Sequence, residues 1–123
     1  LYCLYELSRR ALGLGQSDKA IEILDQAIAI GRETGINFHG PRLFALNAVL
    51  RKDPEVCRQS LAEGAALVAE GANAHNVLWF HRDAIDACLN IGDIDKARSH
   101  AEALLNFTVE EKLPWVEFFA ARG

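Results

Sequence analysis

GQSDKA, residues 15–20, returns as GDIDKA at residues 92–97. Four of the six letters agree, which is either chance or the mark of a structural unit used more than once. A repeated unit carries its surroundings with it. With Ala20 laid over Ala97, Leu12 falls on Leu89, Leu14 on Ile91 and Ala11 on Cys88, and each pair keeps its character. The offset of 77 residues is long for one helical hairpin. It suits two units of roughly 38 residues, within the range of helix-pair repeats. A middle copy follows when Cys57 takes the role of Ala20; Ala48 then stands for Ala11 and Ala45 for Ser8.

Each of these residues opens a stripe with spacing 4, 3, 4, which holds one face of a helix. The stripes read Ala20, Leu24, Ala27, Gly31, then Cys57, Leu61, Gly64, Val68, then Ala97, Ala101, Leu104, Thr108. Most members are small, so neighbouring helices can approach closely. Asp18, Asp53 and Asp93 sit where the second helix of each unit should start, and a carboxylate there accepts first-turn N–H groups. Asp53-Pro54 is the clearest, with a cap followed by proline at the first helical position. Gly35 and Gly71 stand at the expected stops, and Pro41 and Pro114 near the starts of the next helices. Helices are predicted at about 1–14, 18–33, 39–51, 54–70, 75–91, 94–109 and 114–121. The best strand candidate, LNFTVEE, lies within a helical stripe. The expected fold is all-α, a right-handed solenoid of antiparallel helix pairs in a single domain over residues 1–123. Its units are about 1–37, 38–77 and 78–114, with a partial fourth at 115–123. An ordinary helical bundle is the rival, since Gly-x-x-Asp-Lys-Ala starts a helix in any context.

Composition agrees with a packed helical chain. Half of the 123 residues are apolar, 24% are charged, and Ala and Leu are abundant. Net charge is −4 with histidines neutral, and the longest basic runs are Arg9-Arg10 and Arg51-Lys52. That argues against a nucleic-acid partner, which needs a basic face. No apolar run approaches the roughly 20 residues of a membrane span. Cys3, Cys57 and Cys88 make an odd number with no close pair, which suits a reducing compartment, and a cytoplasmic location is expected. The chain has no Met and starts inside an apolar helical pattern, LYCLYEL. It is read as a segment of a longer protein.

The helix-pair pattern resembles tetratricopeptide repeats. Unit one carries the resemblance on Leu4, Leu7, Ser8, Ala11, Ala20, Leu24 and Ala27, with Arg32 where the family favours Pro. Unit two carries it on Phe44, Ala45, Ala48, Cys57, Leu61 and Gly64, and unit three on Ala84, Ile85, Cys88, Ala97, Ala101 and Leu104. Spacings of 37 and 40 residues between Ala20, Cys57 and Ala97 exceed the family's roughly 34. The phrase AIAIGRETGINFHGPRLFALNAVL looks like repeats at the C-terminal end of large bacterial signalling proteins, some with adenylate or guanylate cyclase and STAND-type ATPase domains. The resemblance implies an interaction or scaffolding module that binds a peptide, a partner protein or another domain of the parent chain on its concave face. Self-association into a homo-oligomer, or a purely architectural role, is the alternative it leaves open. The concave positions it implies are Tyr2, Tyr5 and Arg9 in unit one, His39 and Arg42 in unit two, and Trp79, Arg82 and Asp86 in unit three. Aromatic and Arg side chains dominate binding hot spots, and Arg42 and Arg82 at matching places could grip a carboxylate together.

Chemistry finds little support in the sequence. None of His39, His75, His81 and His100 pairs with another at the i, i+4 spacing of a helical metal site. His81 and Cys88 share a face but are two ligands where zinc wants three or four. Cys57 and Cys88 occupy small-residue positions, where thiols act as hydrophobes. Gly13-Leu14-Gly15 lacks the strand and the Lys-Ser/Thr of a phosphate loop. No catalytic, cofactor-binding or metal residue is expected, and the segment is read as non-enzymatic.

Overall fold

The computed structural model of the chain describes residues 1–72, 74–107 and 114–122, the last stretch with side chains from residue 118 onward. Among the described residues there are helices and no strand. In chain order the helices are α1 (Tyr2–Gly13), α2 (Ser17–Thr34), α3 (Gly40–Leu50), α4 (Pro54–Ala69), α5 (Ala74–Asn90), α6 (Ile94–Phe107) and α7 (Pro114–Arg122). Their bounds lie within a residue of those predicted, except that the predicted end of the sixth helix, at 109, lies outside the described residues. Thr108, the end of the third stripe, and most of LNFTVEE's polar end lie outside the described residues.

The two matching hexapeptides adopt the same turn. Gly15 N–H donates to the Leu12 carbonyl at 3.0 Å and Gly92 N–H to that of Leu89 at 3.1 Å. Gln16 N–H reaches the Ala11 carbonyl, and Asp93 N–H that of Cys88, each at 2.9 Å. Both glycines have φ of +75°, a left-handed backbone that a Cβ resists.

Local chemistry starts the helices. The Asp53 side chain accepts from the N–H groups of Glu55 at 2.9 Å and Val56 at 3.4 Å, with Pro54 first in α4. Asp93 accepts from Lys96 N–H at 3.2 Å at the head of α6. Asp18 does not cap. It lies within the first turn of α2, whose N-cap is Gln16 with no side-chain bond. In repeat register Gln16, not Asp18, stands where Asp53 and Asp93 stand, so Asp18 contributes only its charge near the positive end of the helix.

The stripes are buried over most of their length, with Val68 of the second only half-buried. Ala20, Leu24, Ala27 and Gly31 are buried along α2, Cys57, Leu61 and Gly64 along α4, and Ala97, Ala101 and Leu104 along α6. α1 packs on α2, α3 on α4 and α5 on α6, while α7 meets α5 and α6. α3 also lies against α5, because Ala45, Ala48, Ala84 and Ala87 keep their contact thin. Phe80 fills the space left between these alanines and Leu61; burying such a ring contributes roughly 2–3 kcal/mol. Two hydroxyls enter the core satisfied. Ser8 Oγ donates to the Ala20 carbonyl and Ser60 Oγ to that of Phe44, both at 2.7 Å.

Candidate functional site

The eight residues singled out by the sequence come together along α1, α3 and α5. Tyr2 is half exposed at 53%, whereas Tyr5, Arg42 and Arg82 are buried, with Arg42 at 7% and Arg82 at 8% exposure. Arg9, His39, Trp79 and Asp86 are partly exposed. Arg42 is stacked among aromatic rings, its guanidinium carbon 5.7 Å from the Tyr2 ring centre, 5.2 Å from Tyr5 and 6.0 Å from Trp79. Arg82 lies 4.0 Å over Trp79 and 5.9 Å from Phe119 of α7. A guanidinium tolerates such burial because it is weakly hydrated and its flat face is drawn to the negative face of a ring. His39 sits edge-on to Phe38 at 4.6 Å and tilted against Tyr2 at 6.5 Å. Burial, then the nearby Arg42 charge, lowers its pKa.

Two residues that sequence reasoning passed over hold this face in place. Asp83, 2% exposed, accepts from Arg9 Nη1 at 2.8 Å and from Arg82 Nε at 3.0 Å. Asn76 accepts from Arg42 Nε at 2.7 Å and donates its amide to the Phe38 carbonyl. The signal for both was present. Asn76, Phe80, Asp83 and Ala87 form another 4, 3, 4 stripe on α5, so a polar residue on a buried face was legible before any contact was known. Arg9 Nη1 also lies 3.4 Å from the Tyr5 hydroxyl. Burial and then the Asp83 charge raise the Tyr5 pKa.

Among the described residues the charges along the face do not balance. Arg9, Arg42, Arg82 and Arg122 face Asp83 and Asp86. Arg122 Nη2 lies 2.9 Å from Asp86 Oδ1, an ion-pair distance without hydrogen-bond angles. Burial pushes the Asp86 pKa up and Arg122 pulls it back. No carboxylate among the described residues pairs with Arg42, and the buried Nη2 of Arg82 meets no hydrogen-bond acceptor. An unpaired buried donor is costly.

A second polar cluster joins α5 to α6. Nδ1 of His81 and Nδ1 of His100 are 3.0 Å apart, their rings packed on Phe80. One nitrogen must donate and the other accept, so the two imidazoles cannot both be protonated. Burial, then the partner imidazole, lowers the His81 pKa to about 4. Cys57 and Cys88 are buried; burial, with Cys57 beside it, pushes the Cys88 thiol up to about 11. A thiol so protonated is not a nucleophile at neutral pH. Among the described residues no three His, Cys, Asp or Glu side chains are grouped to hold a metal ion, and no helix is long and apolar enough to cross a membrane. No protein-family model matches the chain, and neither a curated protein nor a solved structure matches it.

Proposed function

We propose that this chain is a helical-repeat interaction module that binds an acidic peptide segment of a partner protein, or of another domain of its parent chain, along the α1–α3–α5 face. The observation that carries this reading is the surplus of guanidinium groups over carboxylates there among the described residues, with Arg9 partly exposed and Arg122 exposed. The half-exposed Tyr2 and the partly exposed Trp79 supply apolar contact beside that charge, the combination that binding hot spots favour. The repeated turns at Gly15 and Gly92, the paired helices and the buried stripes support stacking of the pairs as a right-handed solenoid of tetratricopeptide type. In such an array the first helices line the concave side. A scaffolding role in a larger bacterial signalling protein fits the resemblance, and the segment has no chemistry of its own in this reading.

Fluorescence anisotropy tests the assignment with labelled acidic peptides against the same peptides carrying Gln and Asn for Glu and Asp. Acidic peptides should bind, and added salt should weaken them. Tyr2→Ala should reduce affinity at unchanged melting temperature, since that ring is half exposed. Equal binding of the acidic and neutral sets overturns the reading.

Self-association has its own support. Leu7, Leu14 and Ile30 are exposed, and a groove of about 300 Å³ runs between Leu7, Ala11, Leu14 and Ile23 of the first pair. Light scattering over a dilution series separates this reading from peptide binding. A concentration-dependent mass that Leu14→Glu abolishes supports it.

A further inference from the structure

The gap between α4 and α6 contains an open cavity of about 210 Å³, lined on its apolar side by the buried Leu61 and Cys88, the half-buried Ile91 and the exposed Ala62 and Ala65. The corresponding gap between α2 and α4 is crossed by side chains that this one lacks, as the repeat register shows. Asp25 stands in register with Ala62, Ile28 with Ala65, and Arg51 with Ile91. In the first gap Arg51 Nη2 meets Asp25 Oδ1 at 2.6 Å while its Nε is held by Asn47 at 3.0 Å, and Ile28 packs on the core. In the second gap two alanines and an isoleucine replace the bridge and the bulk. Farther along, Arg32 bridges to Glu63 at 2.8 Å in the first gap; Ala69 and Ala103 occupy their places in the second. The cavity is therefore a consequence of truncated side chains in an otherwise repeated frame.

Its chemistry is two-sided. The floor is apolar, and the protonated Cys88 belongs to it. Arg58 and Lys96 stand at the rim with Asp93 and His100. Asp93 already caps α6 through the Lys96 N–H, and His100 is tied to His81. Neither Arg58 nor Lys96 has an ion-pair partner among the described residues.

We infer that this cavity is a binding site for a small monocarboxylate with an apolar body, ring or branched chain on the Leu61–Ala62–Ala65–Ile91 floor and carboxylate toward Lys96 and Arg58. The site shares no residue with the arginine face, so it stands or falls independently of the peptide-binding reading.

The test is an amide-shift titration of the isotope-labelled chain with phenylacetate and, separately, with phenylacetamide. Phenylacetate should produce saturating shifts centred on Cys88, Ile91, Lys96 and His100, and should bind roughly threefold more tightly than the amide, the scale of an exposed charge pair. Lys96→Gln, a surface change, should reduce that preference, and Lys96→Gln with Arg58→Gln should remove it. Ala65→Ile, which restores the side chain of the first gap, should abolish the shifts without lowering the melting temperature. Absent or scattered shifts, equal affinity for acid and amide, or undiminished binding by Ala65→Ile would each overturn the site.

Discussion

Arg9 of α1 and Asp83 of α5 are 74 residues apart in the chain and meet at 2.8 Å. The same carboxylate holds Arg82 at 3.0 Å, so one side chain fixes the first helix and the third pair against each other. Asp83→Asn keeps the shape and removes the charge, leaving the buried Arg82 without its hydrogen-bonded counter-ion. Removing one partner of a buried pair costs about 3 kcal/mol. The pair Arg32–Glu63, with side chains 55% and 36% exposed, provides the contrast, since Glu63→Gln should cost below about 1 kcal/mol. Urea denaturation of the two variants checks the order, and comparable losses would contradict the role given to Asp83.

Acid should loosen the α5–α6 contact. The folded chain holds His81 at a pKa of about 4 against an ordinary 6.5, through burial and the neighbouring imidazole, and His100 is lowered by burial and Lys96. Between those values the unfolded chain binds more protons, so stability is full above about pH 6.5 and falls as pH drops toward 4. The groups facing the pair include Lys96, which disfavours protonation of His100, and Asp93, which favours it. His81→Phe should flatten the fall between pH 6.5 and 4.5 by an amount on the order of 2 kcal/mol. Denaturation midpoints at three pH values give the slope, and an identical slope in the variant would refute the assignment.

What the sequence made legible was periodic. The stripes, the Asp53 and Asp93 caps and the glycine turns all rest on neighbours within a helical turn or two, and the helices stand where those signals place them. The arginine face was legible as a set of positions but not as a network, because Asp83 reaches Arg9 from 74 positions away and Asn76 reaches Arg42 from 34. The His81–His100 pair was hidden for the same reason. Neither histidine has a partner at helical spacing, and only the packing of α5 on α6 brings their nitrogens together.

Close approach of α4 to α5 rests on Gly64. A Cβ there would lie 2.5 Å from the Phe80 ring and 3.3 Å from Phe44 Cβ. Gly64→Ala gains up to about 1 kcal/mol of helix propensity but forces a ring that is 1% exposed to move, at roughly 1–3 kcal/mol. Net destabilisation of about 1 kcal/mol is expected. Adding Phe80→Leu should recover part of it, which a double-mutant cycle measures as a favourable coupling. Additive losses would mean that the ring does not set this contact.

The turns at Gly15 and Gly92 provide the sharpest comparison between units. Both have φ of +75° and nothing within 4 Å of an added Cβ, so substitution costs backbone strain alone. Gly15→Ala and Gly92→Ala should each lose about 1 kcal/mol, and should agree within a few tenths if the two turns are the same device. The middle unit is the control. Its connection has Lys52 and an extended Arg51, with φ −90° and ψ 123°, in place of a left-handed glycine, so Lys52→Gly should destabilise slightly by freeing the unfolded chain. Thermal melts of the three variants decide it. A Gly92→Ala loss well apart from that of Gly15→Ala would mean that the matching letters do not carry a matching structural demand.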